Sequence, residues 1–217
     1  MVLETYLDDV LEHTGNWEKH LECFKQFLLQ ARAANLAPKP SKCFVGYTEL
    51  VFLGHKIGQV GVAPSEDLIG KICEASAPTT KKQLGSFLGL VGYYRSFVPN
   101  FAVIAVPLTD LTRKGSPNVF VWTDVHEQAF QSLKHRVSKP PVLRLPDITK
   151  PFILQTDASS DGIGAILLQE EGQVKHPIAF ASKKLSPQLV ALTPSVSMTE
   201  MLAHAHQPRQ EQQLQFK

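Results

Sequence analysis

Apolar residues recur along the chain at two different spacings, and the change between them marks its segments. Residues 17–31 carry apolar side chains three and four positions apart, which predicts a helix that Asn16 can cap. Residues 2–13 and 43–63 have β-branched and aromatic runs broken by turn residues, which predicts short hairpins. We therefore expect the first third of the chain to combine hairpins with one helix.

Residues 64–117 are expected to be mainly helical. A helix from Thr80 to Val98 has one apolar stripe, and a threonine at position 79 or 80 can cap it. Three glycines form a second stripe, which would let another backbone come close, most simply that of a packed helix: Gly85, Gly89 and Gly92. A further helix is predicted to begin at Thr123 or Asp124 and to end before Pro140.

The last part of the chain changes character. Residues 151–185 contain three apolar runs joined by turn-rich segments, which predicts a three-stranded antiparallel meander. A short helix around Glu200 and a polar, glutamine-rich tail at 207–217 are predicted to follow. The fold class that these patterns indicate is α+β.

Composition narrows the class of protein. The chain has 217 residues, of which 43% are hydrophobic, and a formal net charge of +2, which suits one or two globular domains. The absence of a long apolar run and of a signal-peptide pattern predicts an intracellular protein, cytoplasmic or nuclear, with no membrane partner. The 3 cysteines are odd in number and far apart, so neither a disulfide framework nor a zinc site is predicted.

Acidic residues at two places in the chain are candidate metal ligands. Asp8 and Asp9 stand together in "ETYLDDVLEH", where they form either an ordinary surface turn or a carboxylate pair that holds metal. Asp157 closes an apolar strand, and the positions that follow it match the start of an EF-hand loop. Leu168 occupies the twelfth position, where that loop requires a bidentate glutamate, so calcium is excluded.

Six motifs in one order carry a family resemblance: "YLDD" at 6–9, "FLGHKIG" at 52–58, "SFLGLVGYYRSFVPNFA" at 86–102, "PLTDLTRKG" at 107–115, "FVWTDVHEQAFQSLK" at 120–134 and "TDASSDGIGAILLQ" at 156–169. The chain resembles the polyprotein of gypsy-type long-terminal-repeat retrotransposons, from the reverse transcriptase palm into ribonuclease H. Retroviral polyproteins are similar too. The resemblance covers residues 1 to about 205 and implies a segment truncated at both ends.

The resemblance implies an order of domains. Residues 1–63 would be a palm remnant with a hairpin like the primer grip, 64–117 a helical thumb-like segment, and 118–145 a connection helix. Residues 146–206 would form the N-terminal half of a ribonuclease H-like fold, with three antiparallel strands plus a helix, before the tail at 207–217. Within that fold "PFILQTD" would be an exposed edge strand, which predicts self-association.

The resemblance also implies metal ligands. Asp8 and Asp9 match the family's polymerase carboxylates, and Asp157 and Glu200 match two ligands of its hybrid-cleaving site. Each pair would hold Mg²⁺ or Mn²⁺. Tyr6, Leu7, Val10 and Leu11 would anchor the hairpin that presents the first pair. The family requires further aspartates in both sites, and we expect both sites to be incomplete.

Nucleic-acid contacts are implied by two further motifs. The hairpin with Phe52, Leu53, Gly54 and His55 resembles the element that positions a primer end. The helix region that would follow a duplex backbone includes five candidates: Lys81, Lys82, Gly85, Gly89 and Arg95. For the charged residues a solvated surface is the alternative, and for His55 a packed or turn histidine.

Three functions stay open at this point. The family reactions are RNA-directed DNA polymerisation and two-metal hydrolysis of RNA in RNA–DNA hybrids, which truncation would impair. The alternatives are a non-catalytic module that binds RNA–DNA hybrid or duplex nucleic acid, and an unstable relic of a broken element. Salt-sensitive binding of nucleic acid would distinguish the non-catalytic binding module from the unstable relic.

Overall fold

A computed structural model describes residues 2–113, 115, 117, 119–159 and 162–185 of the chain. The chain divides into two compact units at Val62 and Ala63, here called unit 1 and unit 2. Among the described residues, no helix has both the length and the apolar character needed to cross a bilayer. The predicted α+β class is confirmed, since three sheets with antiparallel strands accompany the helices.

Unit 1 begins with a two-stranded hairpin and a helix. Strands β1 (Val2–Tyr6) and β2 (Asp9–His13) pair antiparallel, with Tyr6 opposite Asp9. Helix α1 (Trp17–Ala33) follows, and the Asn16 side chain caps it by accepting a hydrogen bond from the Lys19 N–H at 2.9 Å. Strands β3 (Glu49–Phe52) and β4 (His55–Gly58) form a second hairpin, and β5 (Gly61–Pro64) lies beside β4.

A histidine joins three parts of unit 1. The Nε2 atom of His20 on α1 accepts a hydrogen bond from the Gly46 N–H at 3.2 Å, and its Nδ1 atom lies 3.3 Å from the Glu12 carboxylate on β2. Gly46 has a φ of 75° and packs against the Trp17 ring, 2.7 Å from where a Cβ would lie. Only glycine fits there without strain.

Unit 2 contains five helices among its described residues: α2 (Glu66–Glu74), α3 (Lys81–Tyr93), α4 (Phe101–Ile104), α5 (Val106–Leu111) and α6 (Asp124–Ser138). Capping boxes start two of them, with Thr80 and Gln83 at α3 and Thr123 and His126 at α6.

The predicted helix from Thr80 to Val98 is shorter than expected. Helix α3 ends at Tyr93, and a 3-10 turn over Arg95–Phe97 follows it. Val98 is extended, with φ −116° and ψ 108°. Pro99 accounts for the extended Val98, because a residue before proline is disfavoured in the helical region.

The core of unit 2 forms where α3, α5 and α6 face one another. Phe130 of α6 is 1% exposed, and its ring lies 4.5 Å from that of Phe87 on α3, measured between centroids. The predicted apolar stripe of α3 is buried in this core at Leu84, Phe87 and Val91.

The sheet of unit 2 is the predicted meander. Strands β6 (Ile153–Ala158), β7 (Gly162–Glu171) and β8 (Val174–Lys184) are antiparallel in the order β6-β7-β8. Helix α4 lies against this sheet, and the Ala102 N–H donates a hydrogen bond to the Ser182 hydroxyl at 2.8 Å. A Cβ at Gly162 would lie 2.8 Å from Val103 Cγ2, so this glycine permits the close approach.

Gln169 fixes the loop before β6 to the sheet. Its buried side chain accepts a hydrogen bond from the Asp147 N–H and donates to the carbonyl oxygens of Asp147 and Lys150. Hydrogen bonds from the hydroxyl and the N–H of Thr149 hold the pKa of Asp147 below its usual value. The loop is therefore held by polar contacts at both ends.

Tyr94 should make unit 2 sensitive to alkaline pH. Its side chain is fully buried and hydrogen-bonds to Ser65, and burial raises its pKa. An unfolded chain would ionise this tyrosine first, so its contribution to stability is complete below about pH 10 and is lost as the pH rises through the raised pKa.

We expect the urea midpoint of Tyr94→Phe to fall less steeply above pH 10 than that of the unmodified chain. Tyr47→Phe, at an exposed tyrosine, is the control and should keep the original pH dependence. Equal pH dependence in Tyr94→Phe and the unmodified chain would contradict the assignment.

Candidate functional site

The Asp8–Asp9 pair lies at an exposed and strained turn. The loop between β1 and β2 consists of Leu7 and Asp8, and Leu7 has a φ of 54°, which costs energy for a residue with a branched side chain. Asp9 is the first residue of β2, and both carboxylates are exposed. The strained turn thus presents two neighbouring carboxylates to solvent.

The expected anchoring of this hairpin is wrong for three of the four apolar residues. Leu7 is 89% exposed, Tyr6 58% and Val10 39%, whereas Leu11 is half-buried. The reason is that β1 and β2 form a sheet of two strands, and these three side chains lie at its tip. The apolar tip is an uncovered surface of unit 1.

Among the described residues, Asp157 lies on a strand with one neighbour. It belongs to β6, faces Gly164 of β7 in the antiparallel register, and is exposed. Glu200 lies outside the described residues. Within the part of the chain that the structure describes, no three histidine, cysteine or acidic side chains come together as metal ligands. The described donors therefore do not complete a metal site at Asp157 or at the Asp8–Asp9 pair.

The β3–β4 hairpin has a tight two-residue turn. Phe52 pairs with His55, and the loop residues Leu53 and Gly54 have φ values of 48° and 74°. Two positive φ values match the type I′ turn that suits the twist of a hairpin. His55 Nδ1 lies 3.0 Å from the Leu53 carbonyl oxygen, so this histidine takes part in the turn itself.

Helix α3 has an exposed side lined by small residues. A Cβ added at Gly85, Gly89 or Gly92 would meet no described atom within 4 Å, apart from its chain neighbours and the backbone of its own helix. Among the described residues no helix packs on these glycines, contrary to the expectation, because the opposite stripe of α3 makes the contact with the core. We call the exposed set the open face of α3: Lys82, Gly85, Ser86, Gly89 and Tyr93.

The basic candidates around α3 differ in their surroundings. Lys81 is half-buried, and its ammonium group donates a hydrogen bond to the Arg113 carbonyl oxygen, which places it in the structure of unit 2. Lys82 on the open face and Arg95 in the 3-10 turn are exposed. The charges at positions 82 and 95 are thus directed to solvent.

Sequence reasoning missed Tyr93. It is 51% exposed and stands four residues after Gly89, on the same side of α3. The i to i+4 spacing was the signal that could have found it. An exposed aromatic ring beside glycines offers a stacking surface that the charged residues lack.

The second half of this chain is similar to a known protein family. Residues 122–209 match the family described as an RNase H-like domain found in reverse transcriptase. The matched segment is similar to that family, and it includes α6 and all three described strands of the unit 2 sheet.

Relatives extend the similarity to most of the chain. The Transposon Tf2-3 polyprotein of Schizosaccharomyces pombe is 35% identical over 199 residues, which are 91% of this chain and 15% of that protein. The Tf2-7 polyprotein of the same yeast is 34% identical over the same coverage. The chain therefore spans about 15% of the length of the curated relatives it matches.

Solved structures of reverse transcriptases are also similar to most of this chain. The dRH form of the foamy viral protease-reverse transcriptase in complex with double-stranded DNA matches with a TM-score of 0.82 and 26% identity, over 94% of this chain and 36% of that one. The same viral enzyme with an RNA/DNA hybrid matches with a TM-score of 0.78 and 25% identity, over 94% and 28% of the two chains.

These comparisons confirm the predicted resemblance to retrotransposon reverse transcriptase and RNase H-like sequences. The assignment to the gypsy type and the bounds of the five predicted segments stay predictions.

Proposed function

We propose that this chain is a retrotransposon reverse transcriptase segment that binds RNA–DNA hybrid or duplex nucleic acid through the open face of α3. The observation that carries the proposal is the free space over Gly85 and Gly89, where a nucleic-acid backbone can approach the helix. Similar solved enzymes hold double-stranded DNA and an RNA/DNA hybrid, which supports this class of partner.

Charge and stacking would supply the affinity. Lys82 and Arg95 can contact phosphates, and Tyr93 can contact sugars or bases beside the glycines. Such backbone contacts do not depend on sequence, and each one releases a counterion, so binding weakens steeply with salt. The β3–β4 turn, with Phe52 to His55, is proposed as a second contact by its resemblance to the primer-positioning hairpin.

The family reactions, RNA-directed DNA polymerisation and hydrolysis of RNA in hybrids, are proposed for the longer polyprotein. In it, Asp8 and Asp9 would be ligands of one divalent-metal site, and Asp157 with Glu200 ligands of another, with Mg²⁺ or Mn²⁺ as the ion. We assign no catalytic step to this chain, because its described donors complete neither site. Hybrid cleavage that is lost in Asp157→Asn would support the second assignment.

Self-association is proposed for the edge strand. In the described sheet β6 has a neighbour only on the β7 side, and Leu154 and Phe152 are 55% and 44% exposed. A second copy could pair with this apolar edge. Sedimentation at increasing protein concentration tests it.

Binding should be lost when the open face of α3 is filled. We expect Gly85→Leu/Gly89→Leu to bind a labelled RNA–DNA hybrid at least tenfold more weakly than the unmodified chain, whose Kd should be about 1–100 µM at physiological salt. Replacing each glycine with leucine also favours the helix by about 0.8 kcal/mol, so the variant should be at least as stable as the unmodified chain. Weaker binding by a variant of preserved thermal stability therefore reflects the loss of the contact with nucleic acid and not unfolding. Fluorescence anisotropy and thermal melting measure the two effects.

The matched control is Gly70→Leu in α2, where an added Cβ also meets nothing within 4 Å. It should bind the hybrid normally, as should Asp8→Asn and Asp157→Asn, which leave the open face intact. Unchanged binding in the double glycine variant would refute the assignment of this surface.

A further inference from the structure

A groove lies beside the C-terminal end of α6 in unit 2. It has a volume of about 630 Å³. Its apolar wall comes from the segment after α3, the proline pair after α6 and strand β8: Phe97, Pro99, Pro140, Pro141 and Phe180. The polar wall consists of Ser132, His135, Arg136 and Lys139. We call this feature the α6 groove. Its volume lies within the usual range of ligand sites, roughly 300–1,000 Å³.

The charge of the α6 groove has one sign. Arg136 and Lys139 are exposed, and neither forms an ion pair with another described residue. None of the residues that line the groove is acidic. This contrasts with β8, where Lys184 is paired with Asp110 at 3.1 Å. The groove therefore attracts anions.

The apolar wall provides a flat surface. Phe180 of β8 is half-buried, so part of its ring is accessible, and the proline rings beside it are also half-buried. A basic edge along an aromatic surface is the combination with which proteins bind single-stranded nucleic acid, phosphates on one side and unpaired bases on the other. A duplex cannot use this surface, because its bases are stacked inside.

We infer that the α6 groove binds a single strand of RNA or DNA, with its phosphates on Arg136 and Lys139 and a base against Phe180. The inference rests on the proposed function, to which it adds a site for the unpaired strand, separate in residues from the open face of α3. An acidic peptide is the competing ligand, but it would leave the aromatic surface unused.

The first test measures binding of a fluorescent twelve-nucleotide dT strand by anisotropy. We expect Arg136→Gln/Lys139→Gln to bind it at least tenfold more weakly. Because each lost phosphate contact lowers the salt slope by about 0.7 for single strands, the slope should fall by about 1.4. The control Lys25→Gln/Arg32→Gln removes the same two charges from exposed positions on α1 and should change neither value. Equal loss in both variants would overturn the inference.

The second test addresses the base contact. Phe180→Leu should weaken binding of the dT strand and leave binding of an abasic strand of equal length unchanged. Thermal melting verifies that the Phe180→Leu variant folds. If this variant does not fold, the base contact is tested by comparing the affinity of the unmodified chain for the dT strand with its affinity for the abasic strand. Equal affinity for the dT and abasic strands would overturn the inference, as would displacement of dT by polyglutamate at equal charge concentration.

The proposed function of the open face and the inference about the α6 groove can be refuted independently of each other. Binding of the hybrid without binding of dT would overturn this inference and leave the proposed function standing. Binding of dT that depends on Arg136 and Lys139, without binding of the hybrid, would support the groove and refute the role of the open face.

Discussion

Replacing Phe130 with alanine is expected to destabilise unit 2 by about 4 kcal/mol. The ring is 1% exposed and contacts three neighbours: Phe87 at 4.5 Å and Trp122 at 5.9 Å between centroids, and the Lys134 ammonium at 5.1 Å from the ring centre. Truncation removes buried apolar surface and leaves a cavity between α3 and α6, and both effects favour unfolding. A loss of this size is a large part of the stability of a domain.

Urea unfolding measured by tryptophan fluorescence tests this prediction. The chain has 2 tryptophans, and a Trp17→Phe background makes the signal report on Trp122, next to Phe130. Val121→Ala is the control, because Val121 of unit 2 is 79% exposed and its truncation should lower the free energy of unfolding by less than about 0.5 kcal/mol. A loss below about 1 kcal/mol in Phe130→Ala would show that this ring is not central to the core.

Replacing Gly162 with alanine is expected to lower the free energy of unfolding by about 2 kcal/mol. The cause here is crowding by an added methyl group and not a cavity. The new methyl group would lie 2.8 Å from Val103 Cγ2 and 2.9 Å from the Lys183 carbonyl oxygen. The valine can rotate, but the carbonyl belongs to the paired strand β8 and can move only with the sheet. The contact between α4 and the sheet should therefore weaken.

A double-mutant cycle with Val103→Ala tests the mechanism by urea unfolding. If crowding is the cause, the two substitutions together should cost less than the sum of their separate effects. Gly85→Ala is the control, since its Cβ meets no described atom within 4 Å and should not destabilise. Additive losses in the cycle would exclude Val103 as the obstructing group.

Helix starts were predictable because their signals are local. Asn16, Thr80 and Thr123 each cap the helix that follows, through side-chain contacts within a few residues. The meander was predictable for a similar reason, since turn residues separate runs of strand-forming residues.

Long-range contacts were not predictable from these patterns. The glycines of α3 look alike in sequence whether a helix or solvent covers them, and only the position of α6 shows which side is buried. Gly162 reads as a turn residue, yet its importance comes from Val103, 59 positions earlier. Lys81 looked like a phosphate ligand, and its bond to the Arg113 carbonyl depends on where α5 ends.

Some residues of the candidate sites could be predicted from local motifs, and others could not. Motifs singled out Asp8, Asp9 and Asp157, which are all exposed, and their role as metal ligands stays a prediction. Motifs did not single out Tyr93 or the basic end of α6, whose interest depends on neighbours that only the fold supplies.

The meander has a consequence for the order of folding. Strand β7 begins four positions after β6 ends, and β8 three positions after β7, so both pairings close short loops at little entropic cost. Hairpins of this kind form within about 1–10 µs. The bond between Ala102 and Ser182 instead spans 80 residues. We therefore expect the docking of α4 on a sheet that has already formed to limit the folding rate of unit 2.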